Sequence, residues 1–201
     1  MLASLLKSLL SGHGEKRDNL PGAAATTLIR LHIGGQIAHP EWKIFNVQAG
    51  PDVDYVGHCA DLSRFTDGSI LEIYASHVIE HLGFRTELPT ALREFNRVLI
   101  HGGILRVSVP DLDTLCNLFL DPELSTVQRF DVMRMMFGSQ INPADIHYVG
   151  LNEEILTAFL QNAGFIDIVR VDKFGLFEDT SNMVYKRPIS LNMVARKSLT
   201  A

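Results

Sequence analysis

Apolar and polar positions alternate in two different periods along this chain. Runs rich in β-branched and apolar residues read as strands over Thr27 to Ile33, Trp42 to Val47, Asp54 to Gly57, Ile70 to Ala75 and Ile104 to Val109. Between them the period lengthens. Leu88, Leu92, Phe95 and Leu99 recur at helical spacing, which predicts a helix from Thr86 to Leu99 that stops at His101-Gly102-Gly103. Further helices are predicted at Leu112 to Leu120, Thr126 to Phe137 and Asn152 to Ala163, the last with Asn152 as its cap and Glu153 and Glu154 in its first turn. Phe165 to Val171 and Ser190 to Ala195 read as strands joined by a long polar loop.

Strands alternating with helices predict an α/β fold with a mostly parallel sheet. The final two strands lack a helix between them and are expected as an antiparallel pair at one edge. The link from Gly35 to Trp42 is too short for a crossover helix, so a first helix reduced to a turn is expected there. At the N-terminus, Leu2, Leu5, Leu6, Leu9 and Leu10 form one helical stripe, followed by a polar stretch with glycine and proline. This divides the chain into a short helix and linker over residues 1–21 and a main domain over residues 22–201, with a helical insert at about 112–150.

Composition narrows the function classes. The 201 residues are 46% hydrophobic and 20% charged, as in a globular domain. The net charge is −5, and no run of Lys or Arg exceeds two residues, which argues against a nucleic-acid partner. No stretch approaches the ~20 apolar residues of a membrane span. The two cysteines, Cys59 and Cys116, exclude a disulfide framework and suit a reducing, cytoplasmic compartment.

In open α/β sheets, ligands sit at the carboxyl ends of the strands. Four stretches there carry candidate chemistry. His32-Ile33-Gly34-Gly35-Gln36 places two glycines after a strand, where positive φ and close approach of a ligand become available. Asp61-Leu62 offers an acceptor for an adenine amino group beside an apolar surface, or alternatively a turn cap. Ser76-His77-Val78-Ile79-Glu80-His81 groups two imidazoles and a carboxylate at a strand mouth. It also spells H-x-x-E-H, which on a helix would place His77 and His81 on one face as zinc ligands with Glu80 as base, the arrangement of a peptidase. Ala144 to Gly150 contains His147, a base or a loop histidine, after the methionines Met133, Met135 and Met136.

Taken in order, these pieces resemble the class I S-adenosylmethionine-dependent methyltransferases, most closely small bacterial proteins of the methyltransferase type 11 kind. The likeness covers about Leu28 to Val194. Its most specific stretch, Glu72 to Asp111, holds E-I-Y-A-S-H-V-I-E-H-L and L-R-E-F-N-R-V-L-I-H-G-G-I-L-R-V-S-V-P-D-L. The resemblance implies a Rossmann-like seven-stranded sheet in a three-layer sandwich, with the last strand inserted antiparallel. It implies S-adenosyl-L-methionine as cofactor and no metal. Gly34, Gly35 and Gln36 would approach its methionine part. Asn46 and Gln48, at the end of the second strand, would meet the ribose. Asp61 and Leu62 would meet the adenine, and Ser76 and His77 would lie beside the sulfonium.

The chain departs from that pattern in three places. His32 replaces the usual acidic residue before the glycines, Gln36 replaces a third glycine, and Asn46-Val47-Gln48 offers no carboxylate. An amide in place of a carboxylate forgoes about 1–2 kcal/mol of charge-assisted hydrogen bonding. The expected activity is methyl transfer to a small or cell-envelope-type acceptor, with His81, His77 and His147 as candidate bases. The insert is expected as a wall of the acceptor site or, alternatively, as a homodimer surface. A nucleoside-binding protein without catalysis is the second reading, and a zinc peptidase the third.

Overall fold

A computed structural model describes residues 28–142 and 144–200. The expected N-terminal helix and linker, and the start of the first strand at Thr27, lie outside the described residues. Seven strands form one sheet: β1 (Ile29–Ile33), β2 (Trp42–Asn46), β3 (Tyr55–Val56), β4 (Ile70–Ser76), β5 (Leu99–Pro110), β6 (Phe165–Val171) and β9 (Ser190–Lys197). Two short strands, β7 (Val184–Tyr185) and β8 (Arg187–Pro188), pair with each other alone. The sheet order is β3-β2-β1-β4-β5-β9-β6. All neighbours are parallel except β9, which runs antiparallel to both β5 and β6. This is the mostly parallel sheet with a final antiparallel strand that the pattern predicts.

Four helices are described: α1 (Glu87–Val98), α2 (Leu112–Leu120), α3 (Thr126–Phe137) and α4 (Glu153–Asn162). Leu88, Ala91, Leu92, Phe95 and Val98 make the buried stripe of α1. With Leu156 and Leu160 of α4, that stripe packs on one sheet face, against Leu31, Ile73, Val107 and Met193. Asn152 caps α4 by accepting from the Ile155 amide, as its sequence position predicts. Ser125 and Gln128 form a reciprocal capping box at the start of α3.

One boundary differs from expectation. The helix α1 ends at Val98, and Leu99 already pairs with Ile70 of β4. The glycines at 102 and 103 therefore lie inside β5, where Gly102 takes φ +75°. They serve the bend of a long strand and do not stop the helix. The C-terminal end of α1 is held instead by Lys197, whose Nζ donates to the carbonyls of Arg97 and Leu99.

The link between β1 and β2 contains no helix, and the two strands are nonetheless parallel. The opposite sheet face is shielded by aromatic side chains of the segment after β6. Phe177 meets His32, Trp42 and Tyr74, and Phe174 meets Tyr74. Tyr74 Oη donates to Asp179 at 2.8 Å and lies 3.1 Å from Ser181 Oγ. A second small core, formed by Leu115, Leu118, Leu124, Val132 and Ile189, joins α2 and α3 to the strand ends.

Candidate functional site

Two adjoining cavities open at the carboxyl ends of β1, β2, β4 and β5. The first, of about 570 Å³, is lined by Gly34, Gln36, Asn46, Gln48 and His58-Cys59 on one side. The insert residues Ser139, Ile141, Asn142, Asp145 and Tyr148 line it on the other. The second, of about 520 Å³, is lined by Glu80, Pro110, Asp131, Arg134, Met135, His147, Thr180, Met183, Tyr185 and Ile189. His77, His81, Ser139 and Asp145 belong to both linings and form the partition.

The turn after β1 is built by close approach. Gly34 takes φ +81°, and a methyl group there would lie 2.4 Å from Val78 Cγ2. Asn46 fixes the neighbouring loops: its Nδ2 donates to the Gly35 carbonyl at 2.9 Å, and its Oδ1 accepts from the Gln48 amide at 2.9 Å. Its side chain thus shapes the rim, and Gln48 is the exposed amide beside it. His32, which stands where the resembled family carries an acid, points to the opposite sheet face. Burial lowers its pKa to about 4, against the pull of Asp179.

Gly35, Asp61, Leu62 and Ser76 are the expected cofactor contacts that do not line the first cavity. Asp61 is an exposed turn residue whose Oδ1 accepts from the Ser63 amide; the Ser63 hydroxyl first, and then that amide, hold its carboxyl below the usual range. Leu62 is fully buried in the core. Its amide donates to Glu94 Oε2, and its carbonyl accepts from Arg97. From this segment, His58 and Cys59 face the cavity instead. Burial pushes the Cys59 thiol up to about 12, so it is not a nucleophile at neutral pH. Ser76 Oγ lies 3.4 Å from Thr180 Oγ1, away from the first cavity.

The three candidate histidines converge. β4 ends at Ser76, His77 takes φ +52°, and Ile79–His81 form a single 3-10 turn. The H-x-x-E-H string is therefore not on an α-helix, and the helical placement that a peptidase requires is not formed. His77 Nδ1 lies 3.3 Å from Glu80 Oε1. Ser190 Oγ donates to the Thr180 carbonyl at 2.7 Å and so can accept from His77 Nε2, 3.2 Å away. His81 Nδ1 donates to the Ile146 carbonyl at 3.1 Å. The backbone amide of Tyr148 donates to the Glu80 carbonyl at 2.8 Å, which pins the insert to the 3-10 turn. His147 then stands edge-on to His81, with ring centroids 4.8 Å apart.

Glu80 is 1% exposed. Burial opposes its charge, but the hydrogen bond and charge of His77, with the charge of His81, outweigh it and hold Glu80 below the usual carboxylate range. Burial lowers the pKa of His147, which favours the neutral imidazole. Single ligand atoms of Glu80, His81 and His147 all lie within 4.8 Å of one another.

The β6–β9 segment contributes Thr180, Met183, Tyr185 and Ile189 to the second cavity. None of these was a candidate from sequence, because that loop shows no period. Asp145, in the partition, lay within the stretch already singled out around His147 but had no spacing to mark it.

Residues 32–107, from β1 into β5, match the family described as a methyltransferase domain. Solved structures of similar shape include a SAM-dependent methyltransferase from Archaeoglobus fulgidus (TM-score 0.55, 16% identity, 86% of this chain and 87% of that one). A 1,6-didemethyltoxoflavin-N1-methyltransferase from Burkholderia thailandensis, solved with S-adenosylhomocysteine, is another (TM-score 0.52, 15% identity, 85% and 72%). A third is a possible exported protein from Bordetella parapertussis (TM-score 0.53, 13% identity). The match takes in 85% of this chain and spans 62% of that protein's length. No curated protein sequence matches the chain. Residues 32–107 thus carry the likeness to a methyltransferase domain, and the described chain shares the fold of these S-adenosylmethionine-dependent methyltransferase structures.

Proposed function

We propose that the protein is a methyltransferase that binds S-adenosyl-L-methionine in the first cavity and a small acceptor in the second. The observation that carries this reading is the shared wall: His77 and His81 line both cavities, so groups held on either side meet across them. The first cavity lies within the roughly 300–1,000 Å³ range of cofactor and small-ligand sites, and it sits at the strand order's switch point, where such folds bind ligands. The turn at Gly34 brings bare backbone to its edge.

The cofactor, when bound, supplies a methyl group on a sulfonium whose departure leaves a neutral thioether. The chain's part is to align the acceptor, exclude water and take a proton. Gly34, Gly35 and Gln36 flank the methionine portion in this reading, and Asn46 orders the rim that presents Gln48 to the ribose. His58 and Cys59 take the adenine end that the sequence assigned to Asp61 and Leu62. His147, kept neutral by burial, is suited to accept the acceptor's proton, with His81 beside it. The insert walls the acceptor site through Asp131, Arg134 and Met135.

Among the described residues no helix is long and apolar enough to cross a membrane. The thiols of Cys59 and Cys116 are free, which supports a reducing, cytoplasmic setting.

Calorimetric titration with S-adenosylmethionine and S-adenosylhomocysteine tests the cofactor site. Micromolar binding of both is expected, and silence toward both overturns the reading. Release of S-adenosylhomocysteine on addition of hydroxyl- or amine-bearing small molecules then tests turnover. Binding without release from any of them would leave a nucleoside-binding protein on this fold.

A further inference from the structure

The partition between the cavities holds more ligating power than proton transfer requires. Glu80 is 99% buried, and the one side-chain contact of its carboxylate among the described residues is His77 Nδ1, 3.3 Å from Oε1, with Oε2 left unpartnered. A buried carboxylate left this way is costly unless something positive meets it. His81 and His147 place one nitrogen each near that carboxylate, with all three ligand atoms within 4.8 Å of one another. An ion at their centre would lie within bonding reach of all three after small side-chain adjustments.

One outer nitrogen is already engaged: His81 Nδ1 donates to the Ile146 carbonyl at 3.1 Å. Metal-binding imidazoles characteristically hold their second nitrogen this way, which fixes the tautomer and turns the other lone pair inward. The backbone is prepared as well, because the Tyr148 amide ties the insert to the Glu80 carbonyl and keeps His147 in register.

We infer that Glu80, His81 and His147 form a binding site for a divalent transition-metal ion, with an open position facing the second cavity. Two imidazoles and one carboxylate suit zinc, iron, cobalt or nickel better than magnesium or calcium. Three protein ligands leave room for an oxygen of the acceptor, as catalytic metal sites do. Resting on the methyltransferase reading, this assigns the acceptor to the hydroxyl-bearing class. The ion holds the acceptor oxygen and lowers its pKa. With His81 and His147 engaged as ligands, the hydroxyl proton would pass instead to His77, which lines both cavities. The oxygen–methyl bond forms as the methyl–sulfur bond breaks, and the electron pair stays on sulfur.

The test uses the full chain, stripped with a chelator and titrated with cobalt(II), followed by visible absorption and by zinc(II) competition. One equivalent is expected to bind, with the d–d bands of a low-coordinate nitrogen–oxygen site. Glu80→Gln and His147→Gln should each weaken binding about tenfold or more, with circular dichroism checking their folds. Having two variants guards against one that fails to fold. Absence of stoichiometric binding, or folded variants that bind like the parent chain, overturns the site. S-adenosylhomocysteine calorimetry on the same samples separates the two readings. Nucleoside binding without metal overturns the metal site alone. Metal binding without nucleoside leaves the metal site standing and overturns the methyltransferase reading.

Discussion

At the scale of single residues, two positions make the balance of forces measurable. His32 is buried against Tyr74 and Phe177, with Nδ1 unpartnered. An unfolded imidazole titrates near 6.5 and the folded one at about 4, chiefly because burial penalises its charge. The unfolded chain therefore binds the extra proton first. His32's contribution is intact above about pH 6.5 and is lost as pH falls toward 4, by about 3 kcal/mol. Urea unfolding at pH 7 and pH 4.5 should show that loss in the parent chain and a clearly smaller one in His32→Phe. Gly34→Ala forces a left-handed backbone on a residue with a Cβ and drives it against Val78. We expect a stability loss of about 1–3 kcal/mol and at least tenfold weaker S-adenosylhomocysteine binding by calorimetry. Replacing Val78 by Ala as well should restore only part of both, because the φ strain remains. His77 and His81 could be read from the sequence because both lie in one short string at a strand end. The role of Asp61 could not, since an aspartate that caps a turn and one that holds an adenine look alike until Ser63 is seen beside it.

Elements were legible where a period ran long enough. The stripe of α1 and the cap of α4 marked those helices, while the strand following α1 starts before its glycines because pairing with β4 outweighs the local turn signal. The irregular segment between β3 and β4 had no period, and one side chain of α1 organises it. Arg97 donates to the carbonyls of Leu62 and Phe65, to Asp67 Oδ1 at 2.7 Å and to both oxygens of Glu94. This network positions Cys59 at the cavity edge by fixing the chain just beyond it. Arg97→Met strands two backbone carbonyls and two carboxylates, and should destabilise the fold by about 2–4 kcal/mol in urea titration. Arg97→Lys should recover less than half of that, because an ammonium cannot serve these acceptors from one plane. S-adenosylhomocysteine affinity should fall in both variants, in the same order as stability.

For the molecule as a whole, what matters is that one end of the sheet carries both cavities while the core lies under the other elements. The strands β1, β2 and β4 supply one rim, and the insert between β5 and α4 supplies the facing one. With no helix between β1 and β2, the chain from Gly34 to Glu41 is held by few buried groups. A ligand in the first cavity would bridge this link and the insert, two parts that the core does not otherwise join. Ligand binding should therefore stabilise the fold by mass action, about 2.7 kcal/mol at a hundredfold excess over Kd, or roughly 5–11 °C in Tm for a chain of this size. Thermal unfolding with S-adenosylhomocysteine measures this directly. Hydrogen exchange locates it: amides in residues 34–48 and 138–148 should gain protection, while those of α4 and β6 at the far edge should not change. Protection concentrated instead on residues 174–177, whose Phe174 and Phe177 pack on the opposite sheet face and line neither cavity, would place the ligand there.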